Sequence, residues 1–327
     1  MTQSPTRQQK VVFVDPTPKA RVDRISEGFP SGTVVVAAET GKDDELKGLL
    51  ADADVLILGG RSVSKQLLDL APKARYVYRA GAGWDNVDIA AAKERGVLVG
   101  NSGGSSAAPV AEHSIMLMLA LLRRLPVAMD GMRAGKWPRA ELTGTGDLDS
   151  ATVGIVGAGS IGQAVAQRLK GFGSKTRYNN RRRLAPEVEQ RLGMEYLPLD
   201  DLLSTSNIVT VHMPLNDQTK KFFNAQRFAQ MPQGALFINT AKGDLMDEPA
   251  LLKSLQDGHL GGAGLDVLEV EKEGDNPLYH LPNVVVTPHA GGASKVGAER
   301  GTQAIADNVA QFLRGEVPVG IIPELRE

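Results

Sequence analysis

The stretch that decides the fold is Thr152-Val153-Gly154-Ile155-Val156, followed by Gly157-Ala158-Gly159-Ser160-Ile161-Gly162 and the amphipathic segment Gln163–Lys170. Apolar residues run almost unbroken up to the first turn glycine, as in a strand buried on both faces; beyond the last, the spacing becomes helical. In such a strand, glycine turn and helix, Gly157 allows the tight turn, Gly159 lets a pyrophosphate approach the backbone, and Gly162 lets helix pack on strand. The helix N-terminus, opened by Ser160 and Ile161, then faces the anion. A bare GxGxxG is weak evidence; between a strand and a helix it reads as a dinucleotide site.

Working outward, runs of the same character recur at Val11–Val14, Val34–Ala37, Val55–Leu58, Tyr76–Tyr78, Val97–Val99, Ile208–His212, Ala235–Asn239, Gly264–Val267 and Val284–Thr287. Segments of helical spacing, such as Ala90–Arg95 and Glu248–Gln256, separate most of them. The alternation predicts parallel sheets covered on both faces, an α/β chain. With 327 residues, at roughly 100–200 per domain, two domains are expected. Two flexible stretches, NSGGSS at Asn101–Ser106 and PHAGGAS at Pro288–Ser294, each precede a helical segment, Ala107–Leu125 and Val296–Leu313. Read as crossovers, they give one domain from residues 1–101 and 293–327 around an inserted domain of residues 102–292. Both are expected to be doubly wound and Rossmann-like.

About 20 residues past the glycine turn, an NAD site places an acidic residue against the adenosine ribose hydroxyls. Here the chain reads Tyr178-Asn179-Asn180-Arg181-Arg182-Arg183. No carboxylate stands there to repel a 2′-phosphate, and Arg181 and Arg182, beside Asn180, offer guanidinium forks to bind it. The expected cofactor is NADP, with NADPH preferred over NADH.

In order, the chain carries AGAGWDNVD at Ala80–Asp88, VAEH at Val110–His113, GAGSIG, YNNRRR, NTAKGDLMDE at Asn239–Glu248, GAGLDVLEVE at Gly262–Glu271 and PHAGGAS, motifs of a resemblance that covers nearly its whole length. On these motifs the sequence resembles the D-isomer-specific 2-hydroxyacid dehydrogenases, and within them the bacterial glyoxylate/hydroxypyruvate reductase-like group. The resemblance implies a substrate domain built from both chain ends, a coenzyme domain in the middle, an active site in the cleft, and a homodimer joined through the coenzyme domains. It also implies hydride transfer between NADPH and a small 2-oxo acid to give the D-2-hydroxy acid. His289 matches the family's acid/base histidine and Glu271 the carboxylate that pairs with it. Lys242 stands where the family has arginine in N-T-x-R-G; lysine keeps the charge but loses the planar two-pronged grip on a carboxylate. The amides of Ala82 and Gly83 match the substrate-carboxylate nest, and Arg61 is expected to help shape that pocket. Asp266 matches the residue that meets the nicotinamide carboxamide. His212, Pro214, Thr219, Thr240, Ala241, Gly291 and His289 itself complete the expected cofactor contacts. Two smaller departures are Lys272 after Glu271, where proline is usual, and Ser106-Ala107, where Asn-Thr is common.

Composition narrows the alternatives. Lys+Arg 37 against Asp+Glu 38 leaves a formal charge of −1, so no global field would hold nucleic acid or an anionic membrane. The absence of cysteine removes disulfide frameworks, thiolate zinc sites and Cys nucleophiles. No metal is expected: HExxH and clustered Asp/His spacings are missing, and hydride transfer here needs no Lewis acid. The apolar run Val110–Leu122 is interrupted by Glu112 and His113 and is shorter than the ~20 residues of a bilayer span. Met1–Lys10 is polar without an apolar core, so a cytoplasmic location is expected. Among rival histidines, His113 and His280 lack a glycine turn and His259 lies in DGHL; His212, before Met213-Pro214, ranks second as proton donor. Two other readings share the fold. One is a non-catalytic dinucleotide sensor resembling the transcriptional corepressors, against which the retained His289 and Glu271 weigh. The other is a dehydrogenase of an unusual substrate such as phosphite; formate dehydrogenases of this fold carry Gln beside the histidine, unlike Thr287-Pro288-His289.

Overall fold

In the computed structural model, which describes residues 8–326, the unbroken apolar runs become central strands. β1 (Lys10–Phe13), β2 (Val34–Ala37), β3 (Val55–Leu58), β4 (Tyr76–Arg79) and β5 (Leu98–Asn101) form a five-stranded sheet in the order β2-β1-β3-β4-β5. β6 (Thr152–Val156), β7 (Lys175–Asn179), β8 (Met194–Tyr196), β9 (Ile208–Val211), β10 (Leu236–Asn239), β11 (Gly262–Leu265) and β12 (Val284–Val286) form a second sheet. Its seven strands run in the order β12-β11-β10-β9-β6-β7-β8. All pairings within both sheets are parallel, so the fold is α/β with two Rossmann-like sheets.

Each sheet has its own unit: residues 8–106 with 295–326 form one, and Ala107–Ser294 the other. The divisions fall where the helices Ala107–Leu122 and Lys295–Leu313 begin. In the first unit the C-terminal helix brings Ile305, Val309 and Leu313 into the core, and Phe312 stacks on Tyr76 at a ring separation of 4.9 Å. The chain then returns to the sheet edge, where Ile321 bridges Gly100 and the Ile322 N–H donates to the Val99 carbonyl at 2.9 Å.

The sheet of the second unit is covered by apolar clusters on both faces. One contains Phe223, Phe228 and Phe237; the other contains Ile155, Val165 and Leu169 with Leu117 and Leu121 of the helix Ala107–Leu122. β11, GAGL, is a poor strand by composition. Its glycines serve close packing: a Cβ on Gly264 would meet Leu117 Cβ at 2.9 Å and Ile238 Cδ1 at 3.0 Å. β8, MEY, went unread in the sequence because three residues at a sheet edge carry no periodicity.

Strand order reverses beside the first strand of each sheet, with β6 between β9 and β7 and β1 between β3 and β2. Loops leaving the carboxyl ends there diverge, and ligands of open α/β sheets bind at such points. The aromatic cluster behind the second sheet tests the packing. Phe237 is fully buried, with ring centroids 5.0 Å from Phe223 and 5.1 Å from Phe228. Phe237→Ala should lower the unfolding free energy by about 3–5 kcal/mol in urea titrations; a loss below about 1 kcal/mol would contradict that core.

Candidate active site

β6 delivers the chain to Gly157 at φ +99°, where a Cβ would meet the His212 carbonyl group at 2.6 Å. A Cβ on Gly162 would run into the Gly157 carbonyl and meet Ile155 Cγ2 at 3.1 Å, so the helix Ser160–Leu169 sits directly on its strand. Gly159 differs: nothing lies within 4 Å of where its Cβ would be. It is the N-cap of that helix, and no side chain caps the first turn. The amides of Ser160, Ile161 and Gly162 therefore keep their donors for an anion that can approach over Gly159. An open approach, uncapped donors and the helix dipole fit a dinucleotide pyrophosphate.

At the end of β7 the three arginines separate in role. Arg183 makes a two-pronged contact with Glu189, Nε at 2.8 Å and Nη2 at 2.9 Å. The Tyr178 hydroxyl donates to the same carboxylate at 2.6 Å and accepts the Leu184 N–H at 2.8 Å. Arg183, then the Tyr178 hydroxyl, hold the Glu189 carboxyl down at about 2, while burial pushes the Tyr178 hydroxyl up to about 12. Arg183 thus pins the turn. Asn180 Nδ2 donates across it to the Arg182 carbonyl at 3.1 Å, and the Arg181 and Arg182 side chains are exposed.

The ends of β11 and β12 are tied by one buried carboxylate. Asp266 Oδ1 accepts from the Thr287 hydroxyl at 2.6 Å and the Ala290 N–H at 2.8 Å; Oδ2 accepts from the Gly291 N–H at 2.8 Å. His113 Nε2 lies 2.8 Å from Thr287 Oγ1 and 3.2 Å from Asp266 Oδ1. On the turn so formed, His289 adopts φ +51°, a conformation that costs a residue with a side chain of order 1–3 kcal/mol. Its N–H donates to the Asp266 carbonyl at 2.8 Å. His289 Nδ1 pairs with Glu271 Oε2 at 2.7 Å, with the two side chains 49% and 42% exposed. A carboxylate on Nδ1 holds a proton there and leaves Nε2 for exchange.

β10 ends in the fully buried Asn239. Its side-chain oxygen accepts the Ala241 N–H at 3.0 Å, and its Nδ2 donates to the Lys242 carbonyl at 2.8 Å. The Thr240 hydroxyl lies 2.8 Å from that of Ser114. Lys242 follows, half-buried and extended. His212 bonds Thr210 through Nε2 at 2.9 Å, while its Nδ1 is buried without a hydrogen-bond partner. Burial pushes this imidazole down to about 3, so it is neutral near pH 7 and unsuited to donate a proton. In the next loop the Thr219 hydroxyl donates to the Pro214 carbonyl at 2.8 Å.

In the other unit, the loop after β4 carries Ala82 and Gly83. The Gly81 carbonyl accepts the Ser102 N–H at 3.2 Å and the Ala82 carbonyl accepts Asn101 Nδ2 at 2.7 Å. In a trans peptide N–H and C=O point opposite ways, so the Ala82 and Gly83 amides turn away from these anchors. Arg79 braces the loop, Nη1 donating to the Gly83 carbonyl at 2.6 Å and Nε to Asn86 Oδ1 at 2.7 Å. Arg61 is engaged nearby by the Gly41 carbonyl and by Asp43, whose Oδ1 is 3.4 Å from Nη1.

Residues 115–291 match the profile of the D-isomer specific 2-hydroxyacid dehydrogenase NAD binding domain. The chain belongs to the D-isomer specific 2-hydroxyacid dehydrogenases. It is 39% identical over 275 residues to D-3-phosphoglycerate dehydrogenase of Mycobacterium tuberculosis, covering 84% of this chain and 52% of that one. The chain thus spans about half the length of these curated relatives. Against glyoxylate reductase of Thermococcus litoralis it is 38% identical over 267 residues, 80% of each chain. The crystal structure of a glyoxylate reductase from Paecilomyes thermophila matches with a TM-score of 0.89 at 27% identity, over 98% of this chain and 100% of that one.

Several contributors to this candidate site carry no signal of their own in the sequence. His113 and Thr287, the partners of Asp266, lie far apart in the chain; the VAEH motif was the available signal, but helical spacing alone assigns it no role. Arg79 and Asn101 act through backbone carbonyls, which leave no compositional mark. The Arg183–Glu189 contact carries a pH dependence of known sign. Because the Glu189 carboxyl is lowered from 4.5 to about 2 in the folded state, its contribution is complete above the ordinary carboxylate range and is lost as pH falls through about 2. Urea midpoints followed from pH 6 down to about pH 2 should fall less steeply for Glu189→Gln than for the unaltered protein; parallel curves would contradict the assignment.

Proposed function

We propose that the chain reduces a small 2-oxo acid of the glyoxylate or hydroxypyruvate kind to the D-2-hydroxy acid, with NADPH preferred over NADH. The observation that carries this reading is the solvent-reachable His289–Glu271 pair, held at 2.7 Å on a strained turn beside Asp266. The nicotinamide, when bound, supplies the hydride. His289 delivers a proton from Nε2 to the carbonyl oxygen, and Glu271 stabilises the charged ring. Lys242 stabilises negative charge on the substrate as a point charge, and the Ala82 and Gly83 amides recognise its carboxylate. On the coenzyme side, Gly157, Gly159, Ser160, Ile161 and Gly162 would hold the pyrophosphate, and Asn180, Arg181 and Arg182 the adenosine ribose and its 2′-phosphate. His212, Pro214, Thr219, Thr240, Ala241, Asp266 and Gly291 would line the nicotinamide half.

In this reading the unit of residues 107–294 is the coenzyme domain and the other unit the substrate domain. Glyoxylate reductases among the relatives support the substrate class. Exposed Met116, Leu125 and Phe172 line one apolar depression with Ile115 and Leu119 in the unit of residues 107–294, which supports a homodimer joined there. A cytoplasmic setting suits a chain without cysteine. Among the described residues no helix is long and apolar enough to cross a membrane.

Steady-state kinetics with a panel of 2-oxo acids and both coenzymes tests the proposal. A charge-assisted contact with the 2′-phosphate is worth ~1.5–3 kcal/mol, so kcat/KM with NADPH should exceed that with NADH by roughly tenfold or more. Arg181→Ala with Arg182→Ala should erase the preference; equal efficiency with NADH in the unaltered protein would refute it. His289→Gln should lower kcat by ~10²–10⁴-fold while NADPH binding, read by fluorescence, persists. Near-normal turnover in that variant would require another proton donor.

A further inference from the structure

Glu271 lies on a long excursion, residues 266–283, between β11 and β12, and the stretch from Val270 to Asp275 is exposed. A carboxylate on such a limb holds position only if the limb is anchored. Two residues before it, Glu269 is 25% exposed; its Oε1 takes the Lys221 ammonium and the Glu248 N–H, the latter at 3.0 Å. Glu248 returns the contact by accepting the Glu269 N–H on Oε1. Its Oε2 accepts Asn276 Nδ2 at 3.2 Å, so it grips both limbs of the excursion. Lys221, at φ +52°, donates its own N–H to the Asp244 carbonyl at 2.7 Å, two residues beyond Lys242. Between these points Gly243 rests on the Leu268-Glu269 backbone, where a Cβ would meet the Glu269 nitrogen at 2.5 Å.

We propose that Lys221, Glu269 and Glu248 are positioning residues for proton transfer, a clasp that joins the Lys242 loop to the Glu271 loop and so sets the His289–Glu271 distance. The inference rests on the reading of that pair as the proton-transfer machinery. Two carboxylates gripping each other's backbone repel at short range, and the Lys221 ammonium offsets that repulsion. Without it the clasp loosens and Glu271 drifts from the imidazole. Lys221→Met removes only the charge, because the stem and the N–H to Asp244 remain.

The test is steady-state kinetics of the full chain with NADPH and either glyoxylate or hydroxypyruvate, for Lys221→Met, Lys221→Arg and Glu269→Gln. A misplacement near 1 Å can cost ~10²-fold, so kcat for Lys221→Met should fall about tenfold or more, with KM and NADPH binding within about twofold. Lys221→Arg should recover most of the loss. In a Glu271→Gln background the further effect of Lys221→Met should shrink to about twofold or less, because the group it positions is gone. A kcat for Lys221→Met within about twofold of the unaltered protein, or an undiminished loss in the Glu271→Gln background, would overturn the clasp alone. If the unaltered protein turns over no 2-oxo acid, the reading on which the clasp rests fails, and its positioning role fails with it.

Discussion

The candidate site depends on what Asp266 does with its two carboxylate oxygens. They collect the Thr287 hydroxyl and the amides of Ala290 and Gly291, with the His113 ring at the edge of the same cluster. β11 and β12 leave the sheet side by side, and without a shared acceptor their turns would have several amides to satisfy elsewhere. With it, the turn is tight enough to force His289 to a positive φ. The strain is local and the compensation is buried: Asp266 is 2% exposed while His289 stands in solvent reach. A rigid base under an accessible side chain is what proton transfer at defined geometry requires.

A second constraint is distance between backbones. Gly157, Gly162, Gly243 and Gly264 each occupy a place where a Cβ would penetrate another segment. Gly264 admits the helix Ala107–Leu122 to the sheet, Gly162 seats the helix Ser160–Leu169 against β6, and Gly243 lays the Lys242 turn on the strand-exit segment that leads to Glu271. Gly159 is the exception, since its missing side chain leaves open space. Within the glycine turn, the contrast separates two glycines that serve packing from one whose Cβ position is open.

Charge follows the same division between structure and site. Arg183 is consumed by Glu189 and Arg61 by Asp43 and Gly41, whereas Arg181 and Arg182 stay exposed at the strand end. A basic run therefore resolves into one residue that shapes the turn and two that can meet a ligand. Arg79 and Lys221 also work as internal braces, each directed at backbone carbonyls or carboxylates of loops that carry expected site residues.

Sequence by itself determined the α/β class, the parallel strands from their unbroken apolar runs, and the glycine turn with its helix. Those features are local: periodicity, β-branching and glycine spacing act within a few residues. It also singled out His289, Glu271 and Asp266, through motif order rather than through any property of the isolated side chains. The motifs also paired Glu271 with His289, whereas only the tertiary structure decided the partners of Asp266 and of the residues that anchor the Glu271 loop. Asp266 meets His113 across more than half of one unit's chain, Glu269 meets Lys221 and Glu248, and burial lowers the pKa of the His212 ring. Contacts between distant segments and the desolvation of one ring arise from packing, and packing leaves no trace in local periodicity.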